Sequence, residues 1–167
     1  MNLTTQLDRE LTQLAGFQSP TARTAALSGP DGLEVAIDFV AVDSMSCAFR
    51  EMRLRVPNLA AAGFDTLRAW AEALSKRVTY LLENIGPLEL DPAAGQVLIR
   101  STTPDQQSNA TSFYEVLLSA QGNGQFALRR YRSQKGVAGR EQVDVQVTNE
   151  VLRKLVNDVV ETIPATA

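Results

Sequence analysis

Three segments of the chain carry apolar residues at the three- and four-residue spacing of an amphipathic helix. The first covers residues 3–15, and the second covers residues 65–82 and contains the only tryptophan, Trp70. The third begins after Thr148, and its apolar residues form a broad stripe: Leu152, Leu155, Val156, Val159, Val160 and Ile163. Such a stripe marks the face that a helix buries. The pattern therefore predicts an N-terminal, a central and a C-terminal helix.

The spacing of apolar residues changes to two over residues 33–42, which is the period of a half-buried β-strand. A two-residue turn joins this strand to a second one in the predicted hairpin. In that register Ile37 faces Met52, and Glu34 faces Arg55 on the opposite side. A single register thus satisfies an apolar pair and a charged pair, which favours the hairpin.

Five further segments have the length and residue types of strands. They cover residues 87–91, 96–101, 113–121, 125–132 and 143–147. The third and fourth of these flank Gly122-Asn123-Gly124, the strongest hairpin signal in the chain. Few connections are long enough for parallel crossovers. The sequence therefore predicts an α+β fold, with a mainly antiparallel sheet of about seven strands and three helices packed largely on one face.

At 167 residues the chain has the length of one domain, and residues 1–167 are predicted to form a single α+β domain. Residues 17–32 are rich in Ser, Thr, Pro and Gly, and we expect them to form a mobile loop within it.

The net charge, the first ten residues and the single cysteine bear on the expected cellular compartment and binding partners. The formal net charge is −3, so the whole molecule has no field that attracts nucleic acid or an anionic membrane. The first ten residues lack the features of a signal peptide, and no apolar run approaches the ~18 residues that span a bilayer. With one cysteine, Cys47, no intrachain disulfide can form. A cytoplasmic protein without a membrane partner is the expectation.

The chain contains no histidine. This excludes Ser-His-Asp and Cys-His catalysis, and it removes the ligand that most zinc and non-haem iron sites require. We therefore expect no metal and no cofactor, and no catalytic residues are assigned. Any enzymatic activity would depend on carboxylates, Lys, Tyr, Ser or Arg, or on a borrowed cofactor.

Charged side chains gather on one face of the first predicted hairpin. Glu34, Asp38 and Glu51 lie on it, and paired carboxylates are the usual apparatus of acid–base catalysis. Arg53 and Arg55 share the same face. The mixture favours a solvated surface of paired charges.

Residues 126–140 hold five cations and no acid. From this segment we select a candidate anion-binding or partner-binding surface: Arg129, Arg130, Tyr131, Arg132, Lys135 and Arg140. Strand alternation places these cations on two faces and in a loop, whereas a nucleic-acid surface concentrates them. Pairing within the protein, an acidic protein or a small anion is therefore favoured, and nucleic acid is not.

Apolar residues fall on both faces of the hairpin around the Gly-Asn-Gly turn. Phe113, Leu117 and Tyr131 lie opposite the residues predicted to face the core. A single layer of helices covers only one face of a sheet, so these three residues form a candidate apolar interface for a homodimer or another partner.

The pattern favours a non-catalytic protein-interaction module, such as a chaperone-like adaptor. In its small size, acidic pI and terminal amphipathic helices around a sheet, the chain resembles the type III secretion chaperones. That resemblance is one of gross architecture, without a shared motif and with a different predicted strand order. The alternative is a ligand-binding or cofactorless enzymatic domain with a pocket between the central helix and the sheet, lined by Trp70. A weak nucleic-acid-binding module is the third.

Overall fold

The computed structural model describes residues 2–59, 63–81, 85–101, 105–106, 109–120 and 125–165, with the backbone alone at 85–88 and 105–106. Within these ranges it contains three α-helices and ten strands. The ten strands belong to one mainly antiparallel sheet. The α+β class and the helices on one face of the sheet are as predicted.

The helices are α1 (Leu3–Gln13), α2 (Phe64–Arg77) and α3 (Asn149–Glu161). The side chain of Asn2 caps the first helix by accepting from the Thr5 amide at 2.7 Å. Thr148, after which the sequence places the third helix, caps α3 in the same way by accepting from the Val151 amide. The predicted span of the central helix was too long, because α2 ends at Arg77 and Val78 is its C-cap.

The strands follow the chain in this order: β1 (Gln18–Ser28), β2 (Glu34–Val42), β3 (Ser46–Arg55), β4 (Ile85–Asp91), β5 (Gln96–Ser101), β6 (Asp105–Gln106), β7 (Ala110–Ser119), β8 (Gln125–Gln134), β9 (Glu141–Val143) and β10 (Val145–Thr148). Seven of them form the main path of the sheet, in the order β1-β2-β3-β8-β7-β5-β4. The long hairpin β7–β8 therefore lies at the centre. Its predicted turn at 122–124 lies outside the described residues.

The β2–β3 hairpin has the predicted register. Ile37 is paired with Met52 and Glu34 with Arg55, which confirms both pairs. The register shifts twice around Phe39, and these irregularities allow Phe39 and Phe49 to meet edge to face, with their ring centroids 6.5 Å apart.

The expectation of a mobile loop at 17–32 is wrong, because residues 18–28 form β1 and pair with β2 along most of their length. An edge strand needs apolar side chains on one face only, and here Ala25 and Leu27 supply them. Pro20 is compatible with this strand because an edge has an unpaired side. The Ser- and Thr-rich composition reflects the exposed face of β1.

The predicted strand at 143–147 is divided in two by a bend at Asp144. Strand β3 is paired with β8 over Met52–Arg55 only, and its first residues are paired with β10 instead. Strand β9 is paired with β8 beyond that point. The segment 141–148 thus fills the fork where β3 and β8 separate. At the bend, Asp144 pairs with Arg50 at 3.3 Å.

The core lies between the three helices and the inner face of the sheet. Its largest fully buried side chains include Trp70, Phe39, Phe49, Phe126 and Met52. The predicted stripe of α3 is buried at Leu152, Leu155, Val156 and Val159, while Val160 and Ile163 pack against the rim of the core. The outer face of the sheet is left for other interactions.

Candidate functional site

A row of alternating charges crosses the outer face of the sheet from β5 to β2. We call it the charged row, and its members are Arg100, Glu115, Arg129, Glu51, Arg53 and Asp38. Register places Arg100, Glu115 and Arg129 side by side on β5, β7 and β8. Glu51 accepts hydrogen bonds from the arginines on either side of it, Arg129 and Arg53, whereas Glu115 accepts from Arg100 and from Arg140 in the loop after β8.

The contacts along the charged row are direct. Arg100 Nε donates to Glu115 at 3.1 Å, and Arg129 Nε donates to Glu51. Arg53 donates to Glu51 at 3.1 Å and to Asp38 at 2.5 Å and 3.1 Å. The row ends where Asp38 accepts from the hydroxyl of Thr24 at 2.7 Å. The mixed-charge surface predicted around Asp38, Glu51 and Arg53 is therefore present.

The two signs of charge are not equally accessible. The side chains of Glu51 and Glu115 are 12% and 11% exposed, whereas those of Arg100 and Arg129 are 39% and 41% exposed. A guanidinium group has five N–H donors, and a carboxylate lying beneath it occupies only some of them. The face therefore presents guanidinium groups to solvent and covers the carboxylates.

Aromatic rings lie beside the charged row. Phe113 and Tyr131 are neighbours across β7 and β8, with ring centroids 6.0 Å apart. The guanidinium of Arg100 lies 5.3 Å from the Phe113 ring, and that of Arg140 lies 3.8 Å from the Tyr131 ring. These distances are in the range of cation–π contacts.

The structure places the candidate apolar interface on the outer face as expected, but the face is not an open apolar patch. Tyr131 is 8% exposed, and Phe113 and Leu117 are half-buried. Arginine side chains cover the two rings. A partner that binds this face would contact both the arginine side chains and the exposed edges of the aromatic rings.

The cations of the basic segment are divided between the two faces. Arg129 belongs to the charged row, and Arg140 donates to both oxygens of Glu115, at 2.5 Å and 3.3 Å. Arg130 lies on the inner side, with its guanidinium 4.2 Å from the Tyr114 ring. Arg132 pairs with Glu141 at 3.1 Å, and Lys135 is exposed in the loop after β8.

Sequence reasoning did not assemble the charged row. Arg53 and Glu51 belong to the first hairpin, Glu115 and Arg129 to the second, and Arg100 to neither. Only the pairing of β3 with β8 joins the two hairpins. Local alternation of residue types gives the face of each residue, but it carries no signal for which distant strands are neighbours.

The ionisation of Asp38 leads to a prediction for acid stability. Burial opposes its ionisation, but hydrogen bonds from Arg53 and Thr24 outweigh that effect and hold the pKa of Asp38 below its ordinary value. A carboxyl with a lowered folded-state pKa contributes stability above its unfolded pKa of about 3.9, and that stability is lost as the pH falls through the folded value.

We therefore expect Asp38→Asn to reduce the pH dependence of unfolding below about pH 4 relative to the wild type. Urea denaturation at several pH values between about 2 and 7 measures the difference. Asp65→Asn is the control, because the Asp65 side chain is 90% exposed and pairs with the exposed Arg68 at 2.9 Å. Parallel pH profiles for the wild type and Asp38→Asn would contradict the prediction.

Trp70 packs in the core rather than lining a ligand pocket. It is fully buried, its ring lies 5.8 Å from that of Phe126, and its indole N–H donates to Thr162 at 3.1 Å. Beside it, a cavity of about 10 Å³ lies between α2, α3 and the sheet and is lined by Leu74, Val78, Leu81, Val116, Phe126, Leu128, Leu155 and Val159. A cavity needs about 10–15 Å³ to hold one water molecule. This space is too small for a substrate.

A wider groove of about 620 Å³ lies where β2, β3 and β10 end, and it is lined in part by Phe17, Ala41, Cys47, Ala48 and Gln146. The thiol of Cys47 in this groove is unreactive. Burial, and to a lesser extent the nearby charge of Asp43, raises the pKa of the Cys47 thiol to about 12. The thiol is therefore protonated at physiological pH, and the thiolate is the nucleophilic form.

Within the described ranges, no three His, Cys, Asp or Glu side chains gather in the arrangement of a metal site. None of the helices described is both long enough and apolar enough to cross a bilayer. No protein-family model, curated protein or solved structure matches the chain.

Proposed function

We propose that the chain is a non-catalytic protein-interaction module whose outer sheet face binds an acidic segment of a partner polypeptide. The observation that carries this proposal is the unequal exposure along the charged row, where partly exposed arginines lie over covered carboxylates. The face thus presents N–H donors and positive charge in a molecule with a net charge of −3.

The arginines of the charged row are held in place before a partner arrives. Each guanidinium of Arg53, Arg100 and Arg129 is fixed by at least one carboxylate below it. Fixing a long side chain in advance lowers the entropy that binding must remove. Arginine also recognises carboxylates through paired, planar hydrogen bonds, which a lysine cannot form.

The surroundings of the charged row suit an extended segment. On one side, register aligns Leu98, Leu117 and Ala127, and all three are half-buried. On the other side lie the rings of Phe113 and Tyr131. An acidic segment with apolar residues at alternate positions would match the charges of the row and the apolar positions beside it.

The same charge pattern disfavours a symmetric dimer through this face. A two-fold interface places the same patch of each subunit against the other. Here it would oppose exposed guanidinium groups with exposed guanidinium groups, and like charges brought together cost binding energy. A different, acidic partner is therefore preferred over self-association through the outer face.

Two further readings of the sequence gain no support. The cavity between α2 and the sheet is only about 10 Å³, so it does not favour a ligand-binding or enzymatic domain. The cations of the basic segment are divided between two faces, and this division does not favour nucleic acid.

The test is a titration with a fluorescently labelled peptide of about twelve residues that alternates Glu and Val, so that it carries both the acidic and the apolar positions of the proposed segment. We expect saturable binding in the micromolar range that weakens as salt is raised, since charge pairs at a surface are screened. The double variant Arg129→Gln with Glu51→Gln keeps the net charge and removes one guanidinium. It should weaken binding at least about fivefold, because each exposed donor group contributes about 1 kcal/mol.

The matched control is the double variant Asp8→Asn with Arg153→Gln. It removes an ion pair between α1 and α3, away from the outer face, whose arginine is 40% exposed, as Arg129 is 41% exposed. This variant should bind the peptide as the wild type does. Equal weakening by both double variants, or no saturation with the wild type, would count against the proposal.

A further inference from the structure

Strand β1 forms one edge of the sheet, and part of that edge is open. The main path of the sheet begins with β1, so no strand lies beyond it in the part of the chain that the structure describes. Thr24 and Ala26 of this strand are exposed. An edge strand carries N–H and C=O groups that can pair with another chain. What this edge can bind therefore depends on which of its backbone groups point outward.

The side chain of Gln6 shows which backbone groups of β1 point outward. Its carboxamide donates to the carbonyl of Ser28 at 2.7 Å and accepts from the amide of Ser28 at 2.9 Å. A residue of a neighbouring strand would form the same two hydrogen bonds. The pairing of β1 with β2 is regular from Arg23 to Ser28. Because the direction alternates along an antiparallel strand, the amides and carbonyls of Thr24 and Ala26 also point outward.

The open part of the edge is short, because both of its ends are closed to pairing. At one end, Gln6 already occupies the backbone groups of Ser28. At the other end, the register of β1 is irregular between Gln18 and Arg23, and Pro20 in this part has no N–H. The outward groups of two residues, 24 and 26, remain between these ends.

The other edge of the main path, β4, is protected against pairing. Glu89 and Asp91 are exposed on it, and Pro87 has no N–H. Charged side chains and proline are the usual means by which proteins protect an edge strand. The open part of β1, residues 23–27, carries a single charge, that of Arg23. Of these two edges, β1 is therefore the one that favours association.

We propose that β1 pairs with β1 of a second copy of this chain, so that the sheet continues across a two-fold axis. The strands run antiparallel with Ala25 at the axis, and Thr24 of each copy is opposite Ala26 of the other. These two pairs exchange four main-chain hydrogen bonds. The contact is self-complementary, as a two-fold interface requires. The occupied Ser28 of each copy lies opposite residue 22 of the other, in the irregular part of β1, so neither closed end has to pair.

The charges of the two copies are compatible with this arrangement. The two Arg23 residues lie four positions apart along the paired strands, which is about 14 Å at about 3.4 Å per residue. The Debye length is about 8 Å at physiological ionic strength, so their repulsion is largely screened. The axis is perpendicular to the sheet, so both outer faces point to the same side and the charged rows are not opposed. The dimer does not depend on the outer face binding a peptide.

Hydrogen exchange of single amides, followed by NMR between about 20 µM and 1 mM protein, tests the position of the contact. The amides of Thr24 and Ala26 should become protected as the concentration rises. The amides of Ala25 and Leu27 point toward β2 and should be protected at every concentration. A dimer that forms without protecting Thr24 and Ala26 uses another surface, and that result would overturn the proposal.

Sedimentation equilibrium tests the strength of the contact. We expect a Kd on the order of 100 µM, because the contact is smaller than that of a stable dimer. Ala26→Lys should weaken the dimer at least about fivefold, because it places two lysines about 7–8 Å apart across the axis. The control is Ala69→Lys, which makes the same change at an exposed position of α2. It should leave the Kd unchanged.

Ala26→Pro is a second variant that acts on the backbone rather than on charge. It removes the outward N–H of residue 26 and leaves the hydrogen bonds between β1 and β2 in place, as proline at an edge strand can. It should weaken the dimer at least about tenfold, since each copy loses one donor and gains a ring at the contact. A strict monomer at about 1 mM, or the wild-type Kd in either variant of Ala26, would refute the pairing through β1.

Discussion

Replacing Leu155 with alanine should lower the free energy of unfolding by about 2–5 kcal/mol. Leu155 is 1% exposed and lies on the buried stripe of α3. Its side chain already borders the cavity of about 10 Å³ between α2, α3 and the sheet. Truncation removes apolar contacts and enlarges a space that the surrounding helices and strands are too constrained to fill.

Urea denaturation followed by Trp70 fluorescence measures this change. For a protein of this length, each 1 kcal/mol should also lower the melting temperature by roughly 2–4 °C. Asn157→Ala is the control on the same helix, because Asn157 is exposed. It should change stability by no more than about 0.5 kcal/mol. A similarly small effect of Leu155→Ala would mean that α3 does not pack on the sheet.

The sequence alone was sufficient where neighbours in space are neighbours in the chain. The β2–β3 hairpin is an example, because alternation fixes the face of each residue and the short turn fixes the register of Ile37 and Met52. The start of α3 is another, because its apolar stripe is placed just after Thr148 by the sequence, and Thr148 caps the helix through the amide of Val151, three residues away.

Where the pairing of distant strands decides the structure, the same reasoning was insufficient. Val143 and Val147 alternate as if they belonged to one strand, yet the chain bends at Asp144 because its partner changes from β8 to β3. Nothing in the local pattern records that change. The loop expectation for 17–32 was wrong for a related reason, since an edge strand resembles a polar loop in composition.

For the candidate site, too, the sequence predicted what depends on local pattern and missed what depends on the pairing of distant strands. The outer-face positions of Phe113, Leu117 and Tyr131 could be read from strand parity. Their cover of arginines could not, because Arg100 comes from β5 and Arg140 from a loop. The division of the basic segment between two faces was predicted, but the contact of Arg140 with Glu115 depends on the fold.

A polar cluster around the buried Asp158 ties the end of α2 and the residues after it to α3. The side chain of Asp158 is 5% exposed, and it accepts from the Tyr80 hydroxyl at 2.6 Å and from Arg77 Nε at 3.1 Å. Burial raises the pKa of Tyr80, and the hydrogen bond to Asp158 raises it further. The hydroxyl therefore remains a donor at neutral and mildly alkaline pH.

Asp158→Ala should consequently destabilise the fold by about 2–4 kcal/mol, because it leaves the half-buried Tyr80 hydroxyl without its acceptor and removes the partner of Arg77. Asp158→Asn keeps an acceptor for Tyr80 and should cost less. A double-mutant cycle of Asp158→Asn with Tyr80→Phe, measured by urea denaturation, isolates the coupling between the two side chains. Additive effects in that cycle, together with a loss below about 0.5 kcal/mol for Asp158→Ala, would show that the cluster does not hold α2 against α3.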